Sequence, residues 1–213
     1  MKRLDLLRQS LLRRGLLLEG LTVGWNIIEG VVAVAAGISA GSVALVSFGI
    51  DSFIETASAA VVGRRLLLEF RGGTPEGANK SEERARRAAG ALLLLLAIYI
   101  VGDAGRRLLG FGDVATESLL GIAVTSLSLV VMPLLAWAKL RTATALESRA
   151  LRADAYETVT CTWLSFATLG GLVLNATLGW AWADPLAALL LVPLIVREGL
   201  EGLRDDDDCS CGK

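Results

Sequence analysis

Two carboxylates lie inside the second long apolar stretch of the sequence, which covers about residues 43–63. Asp51 and Glu55 are four residues apart, so on a helix they share one face and lie one turn from each other. An ionised side chain inside a bilayer costs on the order of 2.5–3.5 kcal/mol, and those that persist usually line a site or a pathway. Two like charges held this close repel each other unless a cation or a proton lies between them. The pair is therefore predicted to bind a cation.

The alternative for this pair is ordinary charge pairing, in which each carboxylate reaches the membrane interface or a basic side chain. The nearest basic residue along the sequence is Arg64, nine positions beyond Glu55. Because no basic residue is close in the sequence, the cation-binding interpretation is favoured.

A second pair of potential ligands occurs in the fifth apolar stretch, where Glu157 and Cys161 are again four residues apart. A glutamate inside an apolar helix has few structural uses, whereas a lone Cys is commonly a small buried hydrophobic residue. Two such pairs on two helices would supply four donors, a number that suits a tetrahedral divalent cation. The sequence thus predicts a metal site formed by Asp51, Glu55, Glu157 and Cys161.

The composition narrows the class of protein that could carry this site. Of 213 residues, 54% are hydrophobic and 20% are charged, which excludes a disordered chain. A net charge of -1, without a basic surplus, argues against a nucleic-acid partner. The sequence contains no His, so imidazole catalysis and His-based metalloprotease motifs are impossible, and no nucleophile and base pair is visible. We therefore expect that the protein is not an enzyme.

Six apolar stretches are near the ~20 residues that a membrane-spanning helix needs. They cover about 16–38, 43–63, 86–105, 115–138, 150–173 and 181–197. If these stretches cross the membrane in turn, 19 Lys and Arg residues fall on one side and two, Arg106 and Arg107, fall on the other. Because basic residues stay on the cytoplasmic side, both termini are predicted to be cytoplasmic. The predicted fold is an all-α integral membrane protein with six transmembrane helices in contact with lipid.

The predicted domain organisation is a six-helix transmembrane domain over residues 1–200 and a short acidic cytoplasmic tail over residues 201–213. We expect no soluble C-terminal domain, because little chain follows the sixth stretch. In the tail, Cys209 and Cys211 follow four Asp residues. This Cys-x-Cys arrangement could capture a soft metal ion, or the tail could be only a solvated acidic terminus.

Three further polar residues lie in the apolar stretches. Asn26 and Glu29, in the first stretch, could flank a cation route or could form hydrogen bonds between helices. Asp154 lies beside Arg152 near the start of the fifth stretch, where it is predicted to support the beginning of a helix.

Three motifs together resemble the cation diffusion facilitator family of divalent-metal transporters. The segment Asp51-Ser-Phe-Ile-Glu55 resembles the Asp-x-x-x-Asp pair on helix two of that family, and Ala150-Leu-Arg-Ala-Asp-Ala155 resembles the lead-in to its helix five. The segment Trp182-Ala-Asp-Pro185 resembles the turn before helix six, where Asp184 is expected to be the N-cap and Pro185 to lie in the first turn. The resemblance covers about residues 16–200.

The resemblance implies six transmembrane helices with cytoplasmic termini, metal–proton exchange by alternating access, and a homodimer. It places Glu157 where the family usually has His and Cys161 where it usually has the second Asp of helix five. Glu55 likewise stands where Asp is commoner. It implies no permanent cofactor, because the divalent cation is the cargo, and the proton-exchanging role of the His would fall to Glu157.

The types of ligand predict which ion is carried. Carboxylates favour harder ions such as Mn²⁺ and Fe²⁺, whereas thiolate and tetrahedral geometry favour Zn²⁺ and Cd²⁺. The mixed set therefore predicts Zn²⁺ first and Cd²⁺ next, with Fe²⁺ left open. The expected function is export of a divalent metal ion driven by inward movement of protons. The alternative is a non-transporting metal-binding membrane scaffold or metal-responsive partner.

Overall fold

The computed structural model describes residues 2–72, 79–111 and 115–203. Within these ranges the chain forms six α-helices and no β-strand. The helices are α1 (Lys2–Ala40), α2 (Val43–Phe70), α3 (Asn79–Leu108), α4 (Leu119–Leu146), α5 (Arg149–Leu178) and α6 (Ala183–Leu203). The predicted all-α class is confirmed, and each of the six predicted apolar stretches overlaps one helix.

Many large apolar side chains are exposed on the outer faces of the described helices. Four helices, α1, α2, α4 and α5, are long and apolar enough to cross a membrane by length and composition, and the other two, α3 and α6, pack against each other. Large side chains such as Leu95, Ile98 and Leu134 are at least 62% exposed. Because a water-soluble protein rarely exposes so much apolar surface, these faces are suited to contact with lipid. The chain is an integral membrane protein.

The packing of the helices makes α2 and α5 direct neighbours. Helix α2 packs against α1, α3, α5 and α6, while α4 packs against α1 and α5. The two helices that carry the predicted ligands therefore share an interface.

Helices α1 and α2 form a hairpin whose backbones approach closely through glycines. A Cβ atom at Gly37 would lie 2.7 Å from the backbone nitrogen of Val46, and one at Gly49 would lie 2.8 Å from that of Val34. Both distances are shorter than a Cβ contact allows. Small residues at helix interfaces let membrane helices approach and gain van der Waals contact. These glycines therefore fix how α2 lies along α1.

Short turns with capped helix ends connect two of the helix pairs. Ser42 precedes α2, and its hydroxyl accepts a hydrogen bond of 3.0 Å from the N–H of Leu45. Helix α4 ends at Leu146 and is followed by the C-cap Glu147, which has a φ of 54°. Ser148 then caps α5, because its hydroxyl accepts a hydrogen bond from the N–H of Leu151. N-cap hydroxyls of this kind satisfy N–H groups that have no partner inside the helix. The turn between α4 and α5 sets these two helices antiparallel.

Asp184 is not the N-cap of α6, so that prediction is wrong. Helix α6 begins at Ala183, which places Asp184 inside its first turn. The Asp184 carboxylate instead accepts hydrogen bonds from the Ser42 hydroxyl and, at 2.9 Å, from the N–H of Val43. The start of α2 offers free N–H groups and the positive end of the helix dipole, both of which favour a carboxylate. Asp184 thereby ties α6 to the start of α2.

The close packing of α1 and α2 predicts opposite effects for two glycine substitutions. Gly49→Ala should lower the free energy of unfolding by about 1–3 kcal/mol, because the added methyl group overpacks the interface. Gly24→Ala is the matched control, because a Cβ there meets no atom within 4 Å. That change should raise the free energy of unfolding by about 0.5–1 kcal/mol, as expected for Gly inside a helix. Unfolding of the purified protein in detergent measures both; equal effects would contradict the packing described.

Candidate cation site

The predicted ligands of α2 are buried at the interface with α5. Asp51 is 6% exposed and Glu55 is 5% exposed. Both carboxylate oxygens of Glu55 lack a hydrogen-bond partner. A buried carboxylate without a partner is costly, because the protein has replaced the water that would solvate it. Glu55 therefore has two oxygens available for an ion.

The predicted ligands of α5 face the same interface. Cys161 is 1% exposed and carries a free thiol, and Glu157 is half-buried. Cys161 interacts electrostatically with Glu55 and Asp51, and Asp51 interacts with Glu157. These interactions put the two predicted pairs within electrostatic range of each other across the α2–α5 interface.

The side chains of this interface do not form a closed coordination sphere. Among the described residues, no three Cys, Asp or Glu side chains converge closely enough to hold a metal ion. Binding of an ion by all four predicted ligands would require their side chains to move toward a common point.

Asn26 and Glu29 of α1 have different surroundings. Glu29 is fully buried, and its carboxylate accepts hydrogen bonds from Ser52 of α2 at 2.9 Å and from Ser128 of α4 at 2.5 Å. These bonds between helices are one of the two roles that the sequence left open for Glu29. Asn26 is also fully buried, but its amide oxygen and nitrogen both lack partners. The predicted tail ligands Cys209 and Cys211 lie outside the described residues.

Glu198 of α6 is an acidic neighbour of the site that the sequence analysis did not identify. Glu198 acts electrostatically on Asp51, as Glu55 and Glu157 also do. Glu198 is adjacent to Arg197 in the sequence, so it had the pattern of an ordinary charged helix end. Only the packing of α6 beside α2 reveals that it faces the buried carboxylates.

A buried ion-pair cluster was also missed. Lys139 of α4 is fully buried, and its ammonium pairs with Asp154 of α5 and, at 3.2 Å, with Glu19 of α1. The three residues are 0–2% exposed. In the sequence, Lys139 directly follows the fourth apolar stretch, and Glu19 lies near the start of the first. A hydropathy pattern could not indicate that they meet, because they belong to different helices.

The predicted role of Asp154 beside Arg152 is therefore wrong. Asp154 is 1% exposed, and its partner is Lys139, whereas Arg152 is exposed. The α4–α5 turn at Glu147 and Ser148 folds α5 back along α4 and so brings position 154 to position 139. Tertiary packing, not the helix start, provides the countercharge.

The described residues thus form a helical membrane bundle that buries acidic side chains between its helices. The family model described as the cation efflux transmembrane domain matches residues 21–206. The chain belongs to the cation efflux family, as the resemblance of its motifs predicted.

Individual relatives match parts of the chain. A Synechocystis protein described as an uncharacterized transporter is 33% identical over 152 residues, which cover 70% of this chain and 49% of that protein. The cadmium, cobalt and zinc/H(+)-K(+) antiporter of Bacillus subtilis is 29% identical over 116 residues, which cover 54% of this chain and 37% of that protein. A protein of Bacillus velezensis with the same description is 27% identical over 116 residues, with 54% and 36% covered. The matched segments span about half or less of these relatives.

The buried cluster predicts a large effect when its cation is removed. Lys139→Met should lower the free energy of unfolding by about 3–5 kcal/mol, because Glu19 and Asp154 are left as unpaired buried charges. Arg8→Met is the matched control, because it breaks the ion pair with Glu69 on the surface, where Arg8 is 65% exposed. That pair should contribute about 0–1 kcal/mol. Unfolding in detergent tests both, and a Lys139→Met variant as stable as Arg8→Met would be inconsistent with the buried cluster.

Proposed function

We propose that this protein transports a divalent metal ion across the membrane and binds it with Asp51, Glu55, Glu157 and Cys161. The observation that carries the proposal is the Glu55 carboxylate, which is buried at the α2–α5 interface with both oxygens unpartnered. An exchangeable cation would remove the cost of burying this group. Membership of the cation efflux family supports the same function.

Zn²⁺ is the proposed cargo, with Cd²⁺ next and Fe²⁺ less favoured. The thiol of Cys161 at an otherwise carboxylate site favours borderline and soft ions that accept tetrahedral geometry. The two Bacillus relatives are described as antiporters of cadmium, cobalt and zinc. Their description supports a late first-row or group 12 metal for this chain as well.

Proton exchange is the proposed source of energy. Asp51 and Glu55 belong to a group of acidic side chains that also includes Glu157 and Glu198. Without a cation, this much negative charge in a low dielectric is best neutralised by protons, so metal and protons compete for the same oxygens. The sequence has no His, and Glu157 takes the proton-exchanging role in the proposal.

The proposed direction is export, with both termini in the cytoplasm. The excess of Lys and Arg on one side of the predicted spans supports this orientation. We further propose that the protein acts as a homodimer in the membrane, as the family resemblance implies, and that Cys209 and Cys211 form an accessory capture site for the ion.

Removal of the charge at Glu157 tests the ligand set. Glu157→Gln should weaken Zn²⁺ binding at least ~10-fold, because an amide oxygen is a poorer donor than a carboxylate and carries no charge. Calorimetric titration of the purified protein in detergent measures the dissociation constant. Glu117→Gln is the matched control, since Glu117 is exposed and outside the helices. Equal affinities of the two variants would exclude Glu157 as a ligand.

Proton coupling is tested with the protein in liposomes. Zn²⁺ uptake should increase at least several-fold when the lumen is more acidic than the bath, because outward protons then drive inward metal. A metal-sensitive dye inside the liposomes reports the flux. Uptake that is the same with and without the pH gradient would contradict antiport. Asp51→Ala distinguishes a transporter from a scaffold: loss of binding with unchanged flux would exclude transport through this site.

A further inference from the structure

Lys139 lies in the field of three carboxylates that come from three different helices. Its ammonium pairs with Asp154 of α5 and with Glu19 of α1, and it also acts electrostatically on Glu55 of α2. The Lys139 side chain is fully buried, so water does not screen these attractions. One cation therefore has three competing anionic neighbours.

The three carboxylates do not share Lys139 equally. Within the described residues, the ion pairs of Lys139 are with Glu19 and Asp154, and both oxygens of Glu55 are without a hydrogen-bond partner. Thr158 lies between the two groups: its hydroxyl is 3.4 Å from the Lys139 nitrogen, and it also interacts with Glu55. The lysine side chain is long and flexible, and its ammonium is already within electrostatic range of Glu55.

We propose that Glu19 and Asp154 are positioning residues that hold the Lys139 ammonium away from Glu55 and so keep Glu55 available to the divalent cation. Lys139 is then a tethered competitor of the transported ion. This inference rests on the proposed function, because it concerns access of the metal to Glu55.

The physical argument is a competition between cations in a low-dielectric interior. A divalent ion can bind Glu55 only if the lysine charge is elsewhere, since two cations at one carboxylate repel each other. Glu19 and Asp154 supply two negative charges that make the alternative position favourable. If one of these two charges is lost, Glu55 becomes the more favourable partner of Lys139. Glu55 is itself an unpaired buried carboxylate, and such a group is costly until a cation pairs with it.

The first experiment removes one of the holding charges. Glu19→Gln should weaken Zn²⁺ binding at least ~10-fold, an effect like that of a residue that supports a metal ligand, although Glu19 is not a ligand itself. Calorimetric titration of the full chain in detergent gives the dissociation constant. Glu69→Gln is the matched control, because Glu69 on α2 is paired with Arg8 of α1 at the surface. This control should bind Zn²⁺ like the unaltered protein.

The second experiment separates competition from structural damage. In the double variant E19Q/K139M the competing cation is gone, so Zn²⁺ affinity should recover to at least that of the unaltered protein. If Glu19 only supported the packing, removal of Lys139 would cause further damage and no recovery. A double variant that binds Zn²⁺ as weakly as E19Q would therefore overturn the proposal.

A third variant keeps the test decisive if E19Q does not fold. E19Q/K139M/D154N removes all three charges and leaves no unpaired ion, a replacement that buried ion pairs often tolerate. It should bind Zn²⁺ at least as tightly as the unaltered chain, and binding more than ~10-fold weaker would overturn the proposal.

Failure of this inference is distinguishable from failure of the proposed function. If the unaltered chain binds Zn²⁺ and E19Q binds it with the same affinity, the tethered-competitor role is wrong and the metal site stands. If the unaltered chain binds neither Zn²⁺ nor Cd²⁺, both proposals are overturned.

Discussion

Charge buried between membrane helices must be neutralised, and this requirement organises the whole structure. A carboxylate removed from water needs a countercharge, hydrogen-bond donors or an exchangeable cation. Glu29 accepts bonds from serine hydroxyls of two other helices, and Asp184 accepts from the start of α2. Asp154 pairs with Lys139. Each of these groups has its partner inside the protein, whereas both oxygens of Glu55 lack a hydrogen-bond partner, and this difference supports the ion site proposed at the interface of α2 and α5.

The same contacts hold α2 in position. Close glycine contacts fix one side of α2 against α1, and Asp184 ties its first residues to α6. Helix α2 also packs against α5, which is held against α4 by a tight turn and by the ion pair of Lys139 with Asp154. In the proposed function, binding or release of an ion at Glu55 would change the net charge at the interface of α2 and α5. The ion-pair cluster connects α1, α4 and α5 through Glu19, Lys139 and Asp154. The Lys139 charge that acts on Glu55 is thus held by the packing of these three helices.

Much of the fold and part of the site could be predicted from local sequence features. Apolar stretches of sufficient length predict membrane helices because lipid requires every backbone group to be paired within the helix. Spacing of four residues puts Asp51 with Glu55 and Glu157 with Cys161 on single helix faces. Glu198 and Lys139 could not be assigned in this way. Each lies beside a helix end or a charged segment in the sequence, and hydropathy treats such charges as boundaries of spans.

Local sequence patterns are enough to predict a helical, membrane-embedded chain and to predict which acidic and sulfur groups share a helix face. These properties are local, because they depend on hydropathy over about 20 residues and on the repeat of the α-helix. Which charges meet depends instead on how the helices pack. Glu19 and Asp154 are far apart in the sequence and converge on Lys139 because three helices pack together. Asp184 accepts a hydrogen bond from the start of α2 because α6 begins beside it. Electrostatic partners are chosen by distance in space, and the distances between helices arise from packing.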